Sequence, residues 1–79
     1  MRTITTPPQI GAILATRRKH LKLTQSAVAT RIGLSQNRLS VLEADPATLD
    51  TGKLLAWLNA LGMEMTLAEK TAGKAKVEW

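Results

Sequence analysis

Residues 23–43 decide the fold, and they read LTQSAVATRIGLSQNRLSVLE. Thr24 and Ser35 are residue types that cap helix N-termini, and each precedes a segment in which apolar residues recur every three or four positions. Gly33 lies between the two segments, where the first helix must end and the chain must change direction. The stretch therefore predicts two short helices joined by a sharp bend at Gly33.

The apolar residues of this stretch indicate how the two helices pack. They are Val28, Ile32, Leu34, Leu39 and Leu42. Ala29 has to be small, because two helices that cross at about 90 to 120° touch near their turn. Such a helix-turn-helix leaves one face of its second helix without a role in packing.

The free face of the second helix carries side chains that suit base recognition. It consists of Ser35, Gln36, Asn37, Arg38, Ser40 and Val41. Glutamine and asparagine can pair bidentately with adenine, serine can bond to several base edges, and valine can contact a thymine methyl group. We therefore predict that this face enters the major groove of DNA. The alternative is an ordinary helical hairpin whose polar face is only solvated.

Helices are also predicted on both sides of this motif. The first begins at Thr6, an N-cap followed by a proline at the first helical position and a glutamine three residues after the cap. The helix after Ser35 ends near Ala44, since Pro46 disfavours helical geometry in the residue before it. Thr48 then restarts the chain. The fourth helix, which ends at Gly62, contains Leu54, Leu55, Leu58 and Leu61.

The period of the apolar residues changes after the fourth helix. Met63, Met65 and Leu67 now alternate with polar residues, which predicts a dimerisation strand over residues 63–68. A lone strand leaves backbone amides and carbonyls unpaired, so its simplest partner is the same strand of a second subunit, antiparallel across a twofold axis. The alternative is a loose segment whose methionines pack on the fourth helix.

Length and composition limit the class of protein. The chain has 79 residues, which form one small domain, and a domain of this size buries only about 60% of its unfolded surface. It has no cysteine and one histidine, which excludes disulfides and metal sites built from several such residues. We predict a flexible N-terminus over residues 1–5, a DNA-binding domain over residues 6–62, and a flexible tail over residues 69–79.

Charge is distributed unevenly along the chain. Residues 1–42 carry seven lysines and arginines and no acid, which gives +7, and residues 43–79 carry four lysines and six acids, which gives −2 and a total of +5. A positive field confined to one half favours a polyanion such as nucleic acid. Arg17, Lys19 and Lys22 are the predicted phosphate contacts. The alternative is a charged surface that serves solubility.

Several other classes are disfavoured. The chain has no run of about 18 apolar residues and no signal peptide, so we expect a cytoplasmic protein. It has no glycine-rich phosphate loop, no nucleophile with a base and no paired carboxylates at a useful spacing. We therefore expect no enzyme, no cofactor and no metal.

The segments Leu23–Ala29, Ile32–Gln36 and Leu39–Glu43 resemble the Cro/C1-type (XRE) phage repressors, and the resemblance spans residues 9–62. It implies an all-α, four-to-five-helix Cro/C1 repressor-like helix-turn-helix domain. It also implies a structural ion pair between Arg18 and Glu43. Gln25 resembles the phosphate-clamping glutamine of that class. Thr24, at the same helix N-terminus, is a further predicted phosphate contact. The base readers it implies are Ser35, Gln36, Asn37 and Ser40 or Val41.

The segment Met63–Leu67 and the ending Val77-Glu78-Trp79 resemble HipB-type antitoxins. This resemblance implies a homodimer joined by a two-stranded lid, which represses its own operon at an inverted repeat and binds a HipA-like serine/threonine kinase toxin. Val77 and Trp79 would then form a toxin-binding tail, because a tryptophan on a polar tail offers a large apolar area to a pocket of another protein. The alternative is that Trp79 folds back on its own domain.

Two other functions stay open at this point. One is a plain phage-type repressor without a toxin. The other is a protein-interaction module whose basic face binds an acidic partner.

Overall fold

A computed structural model of the chain describes residues 3–69. These residues form α1 (Pro7–His20), α2 (Gln25–Ile32), α3 (Gln36–Ala44), a short 3-10 helix (Pro46–Thr48) and α4 (Thr51–Ala60). The described part of the chain is therefore all-α, as predicted. The predictions for Val77 and Trp79, and for all of the tail beyond Glu69, lie outside it.

Short-range hydrogen bonds start the first three helices where the sequence predicts. The side-chain oxygen of Gln9 accepts the backbone N–H of Thr6 at 3.1 Å. The hydroxyls of Thr24 and Ser35 accept amide hydrogen bonds from the first turns of α2 and α3, at 3.0 and 3.1 Å. Each bond satisfies an amide for which the helix itself supplies no partner.

The fourth helix starts later than predicted. Thr48, the expected restart, is the last residue of the 3-10 helix. Asp50 caps α4 instead, because its Oδ1 accepts the backbone N–H of Lys53 at 2.7 Å. The negative charge of this carboxylate also interacts favourably with the positive end of the helix dipole, whereas a threonine hydroxyl carries no such charge.

Two glycines in the left-handed region end helices. Gly33 has φ +76° at the end of α2, and the next amide, that of Leu34, bonds back to the Ala29 carbonyl at 2.9 Å. Gly62 has φ +71° after α4. Glycine adopts this conformation without the steric cost that a Cβ brings. The predicted bend at Gly33 is confirmed.

The core lies where α1, α2 and α3 meet and where α4 packs on α2. Its buried apolar residues are Leu14, Val28, Ala29, Ile32, Leu39, Leu42, Trp57, Leu58 and Leu61. Trp57 is completely buried, so it belongs to the core. None of the described helices is long and apolar enough to cross a bilayer.

The backbones of α1 and α3 come very close at Gly11. A Cβ atom built on Gly11 would overlap the carbonyl oxygen of Glu43 and would lie 3.2 Å from Cδ of Pro46. The sequence contains a signal for this contact, since a glycine inside a helix costs stability unless packing requires it. We did not predict this contact from the sequence.

The segment after α4 has no regular secondary structure within the single chain. The predicted strand is therefore not formed among residues 63–69 as described. Met63 is half-buried against the core, whereas Met65 is 43% and Leu67 90% exposed. The segment lines an apolar groove together with Ile4 and residues of α1 and α4.

Candidate nucleic-acid interface

Helix α3 turns its predicted base readers away from the core. Its inner face consists of Leu39, Leu42 and Glu43, which are buried. The residues that point outward are Ser35, Gln36, Asn37, Arg38, Ser40 and Val41, and all six are exposed. With 3.6 residues per turn, Asn37 and Val41 lie near the centre of this outer face. The face joins amide and hydroxyl groups to one apolar contact, as reading of base edges requires.

Two hydroxyls at the interface have a structural role as well. Thr24 and Ser35 use an oxygen lone pair to cap α2 and α3. A hydroxyl that accepts one hydrogen bond still has its own O–H to donate. Both residues can therefore cap their helices and donate to a phosphate or a base at the same time.

Arg18 and Glu43 form a bidentate ion pair between α1 and α3. Arg18 Nε donates to Glu43 Oε2 at 2.9 Å, and Nη2 donates to Oε1 at 3.1 Å. Arg18 Nη1 also donates to the Leu23 carbonyl at 2.9 Å. The side chains are only 11% and 7% exposed, so water screens the pair weakly. One buried cation thus holds α1, the chain leading into α2, and the end of α3.

Gln25 belongs to the same network. Its amide nitrogen donates to Glu43 Oε1 at 2.9 Å. An ionised carboxylate can only accept, so the nitrogen of Gln25 faces Glu43 and the amide is held in one orientation. The second N–H of that nitrogen stays available at the N-terminus of α2, where the sequence predicts a phosphate contact.

Three other cations are bound to backbone carbonyls near helix ends. Arg17 Nε donates to the Leu61 carbonyl at 3.0 Å. Arg31 Nη1 donates to the Ala60 carbonyl at 3.3 Å, and Lys53 Nζ donates to the Ile32 carbonyl at 2.9 Å. Carbonyls at helix C-termini have no partner inside the helix and carry partial negative charge, which explains these contacts.

One of these cations is a predicted phosphate contact. Arg17 of α1 donates its Nε–H to the end of α4 beside the apolar groove, and its guanidinium has further N–H donors, so Arg17 stays a predicted phosphate contact. Lys19 and Lys22 are exposed at the junction of α1 and α2, close in sequence to Thr24. Lys22 has φ +61° and turns the chain there. Some cations of residues 1–42 thus stabilise contacts within the fold, and others are exposed on the surface.

Sequence reasoning missed one cation of the acidic half. Lys53 sits in the first turn of α4 and reaches the turn of the helix-turn-helix. Its spacing from Ile32, whose carbonyl it binds, carries no local signal, because the two residues are 21 positions apart. Among residues 3–69, no group of three or more acidic, histidine or cysteine side chains could hold a metal ion.

Comparisons with known proteins agree with this geometry. A family model described as helix-turn-helix matches residues 14–67. A chain of the HipA–HipB–O2–O3 complex is 27% identical with a TM-score of 0.82, and the match covers 90% of this chain and 100% of that one. An MDT protein is 28% identical (TM-score 0.80, 87% and 97% covered), and so is a chain of a HipB–O1–O2 complex (TM-score 0.79, 87% and 100% covered). No curated protein matches the chain.

Proposed function

This chain belongs to the helix-turn-helix family as a HipB-like protein of the XRE type, and from this we propose that it is a dimeric repressor and antitoxin. The chain is a DNA-binding transcriptional regulator of HipB type. In this proposal the protein binds an operator, represses a toxin-antitoxin operon and neutralises a toxin. A twofold dimer would place two α3 helices about 34 Å apart, or a multiple of this, on an inverted repeat.

The observation that carries the proposal is the outer face of α3. Gln36, Asn37 and Ser40 are exposed on a helix whose opposite face is buried. The fold does not need these amides and hydroxyl for packing. Gln25, at the capped N-terminus of α2, is held by Glu43 and can clamp a phosphate. A sequence-specific binder requires both base readers and phosphate contacts, and the two helices of this motif offer both.

Replacing Gln36 or Asn37 by alanine should weaken binding to the preferred duplex by about 1 to 3 kcal/mol, because each amide can make a bidentate contact with a base. Binding to unrelated duplex should change little. The preferred duplex is first selected by the native protein from a random-sequence library, and affinities are then measured by fluorescence anisotropy at fixed salt.

Asn59 provides a matched control for this experiment. It is an exposed asparagine on α4, away from α3, and its replacement by alanine should leave both affinities unchanged. Equal losses on both duplexes for the α3 variants would contradict base reading. An absence of any selected sequence would favour the alternative of an acidic protein partner.

The proposed dimer uses the segment that follows α4. Leu67 is 90% exposed and Met65 43% exposed beside an apolar groove, and residues 63–68 alternate as a strand would. Pairing with the same segment of a second subunit would supply the missing backbone partners and cover these side chains. This strand and its pairing are part of the proposal.

Replacing Leu67 by alanine should raise the dimer dissociation constant about a hundredfold, because each of the two subunits loses buried apolar area worth roughly 1.5 kcal/mol. Sedimentation equilibrium measures the change. Val41, which is 60% exposed on α3, is the control position, and its replacement by alanine should not alter association. A native protein that stays monomeric at micromolar concentration would contradict the dimer.

The proposed toxin is a HipA-like serine/threonine kinase. The support is the match to a chain of a complex that contains HipA, together with the resemblance of the Val77-Glu78-Trp79 ending to HipB-type antitoxins. Deleting residues 77–79 should weaken capture of such a kinase and leave operator binding intact, since α3 is untouched. Pull-down of a purified HipA-like kinase and anisotropy on the selected duplex measure both. If the shortened protein captures the kinase as well as the native protein does, Trp79 has no role in toxin binding.

A further inference from the structure

We propose that Lys53 is a positioning residue for DNA recognition, which acts by fixing the turn between α2 and α3. The inference rests on the proposed DNA-binding function and adds a residue outside both helices of the motif. It is carried by the hydrogen bond from Lys53 to the end of α2 and by the position of its ammonium group beside Gly33.

Lys53 joins the start of α4 to the last residue of α2. Its Nζ donates to the Ile32 carbonyl at 2.9 Å. That carbonyl has no partner inside α2, and a cation there also opposes the negative end of the helix dipole. The backbone N–H of Lys53 is held in turn by Asp50 Oδ1 at 2.7 Å. Both ends of the residue are therefore anchored.

The ammonium group of Lys53 also lies beside the bend. A Cβ atom built on Gly33 would lie 3.4 Å from Lys53 Nζ, which is close to van der Waals contact. The side of Gly33 on which a side chain would lie therefore faces the Lys53 ammonium group. Gly33 has the positive φ that turns the chain, and α3 begins three residues later. The hydrogen bond from Lys53 to the Ile32 carbonyl, directly before Gly33, therefore restrains the backbone that sets the direction of α3.

The packing of the helices makes this restraint relevant to α3. Helix α4 packs mainly on α2, whereas α3 packs on α1, α2 and the 3-10 helix. A change in the position of α4 therefore affects α3 through α2 and through the turn beside which Lys53 is bound. Hydrogen bonds to base edges tolerate only a few tenths of an ångström. Flexible lysines on phosphates tolerate more, so a loosened turn reduces specific binding before nonspecific binding.

The test uses Lys53→Met, which keeps the aliphatic stem without the ammonium, and Lys53→Arg, which keeps the charge and the donor. The probes are a duplex that the native protein selects from a random library and an unselected duplex of equal length. We expect Lys53→Met to bind the selected duplex about tenfold more weakly and the unselected one within about twofold. The slope of log affinity against log salt should stay unchanged, and Lys53→Arg should recover most of the affinity.

Each contrary result would contradict a different part of the proposal. A slope that becomes shallower by about 0.9 shows that Lys53 itself contacts a phosphate. Equal losses on both duplexes, measured where circular dichroism shows full folding, show a general defect rather than positioning. A native protein that selects no duplex contradicts the proposed function. A native protein that selects one, which Lys53→Met then binds equally well, contradicts only the role of Lys53.

Discussion

Replacing Arg18 by methionine is expected to lower the free energy of unfolding by about 3 to 5 kcal/mol, because the change leaves the Glu43 carboxylate buried without its cation. Glu43 is only 7% exposed, and Gln25 would remain as its neutral donor. The Leu23 carbonyl would lose its partner as well. Urea denaturation followed by circular dichroism at 222 nm measures the loss.

A double replacement separates the ion pair from simple loss of packing. Arg18→Met combined with Glu43→Leu removes both charges, so it should recover much of the stability that Arg18→Met loses. Arg38→Met is the matched control, because Arg38 is an exposed arginine of α3, and its replacement should cost at most about 1 kcal/mol. A loss of that small size for Arg18→Met would mean that the pair is solvated.

Replacing Gly11 by alanine is expected to destabilise the fold by about 2 to 4 kcal/mol, although alanine is the better helix former. The added methyl group would overlap the carbonyl oxygen of Glu43, and backbone cannot move aside as a flexible side chain can. Helix α1 would have to shift away from the end of α3. The melting temperature should fall by roughly 10 °C or more for a domain of this size.

Gly52 is the matched control for this substitution. It lies in the first turn of α4, where the nearest atom to an added Cβ is Asp50 Oδ1 at 3.4 Å. Gly52→Ala should therefore leave stability unchanged or raise it by up to about 1 kcal/mol. If both alanine variants behave alike, the close approach of α1 and α3 is wrong.

The two residues act on one place in the fold. Gly11 and Arg18 are seven positions apart on α1, two helical turns, so they lie on the same face. Gly11 meets the backbone of Glu43 and Arg18 meets its side chain. Helix α1 thus contacts both the backbone and the side chain of the last turn of α3. A partially folded or tilted α3 would lose both contacts, so the stability of the domain depends on the orientation of the outer face of α3.

The sequence by itself determined the helices and the face of α3 that stays free. Thr6, Thr24 and Ser35 start helices through bonds that span three residues, and Gly33 ends one through its own backbone freedom. Such interactions are complete within one turn of chain, so residue types and spacing reveal them. The periodicity of α3 likewise separates Leu39 and Leu42 from the outer face.

Only the tertiary structure decided which cations besides Arg18 bind backbone carbonyls across the fold. Arg17, Arg31 and Lys53 bind carbonyls that lie 44, 29 and 21 positions away. The sequence indicated a phosphate contact for Arg17, counted the other two only as charge, and predicted none of these three contacts. A carbonyl at a helix end accepts whichever donor packing brings within about 3 Å, and that neighbour is set by how the helices cross. The close approach at Gly11 and the orientation of Gln25 arise in the same way. Contacts between distant residues exist only once the core has formed, so residue type alone does not reveal them.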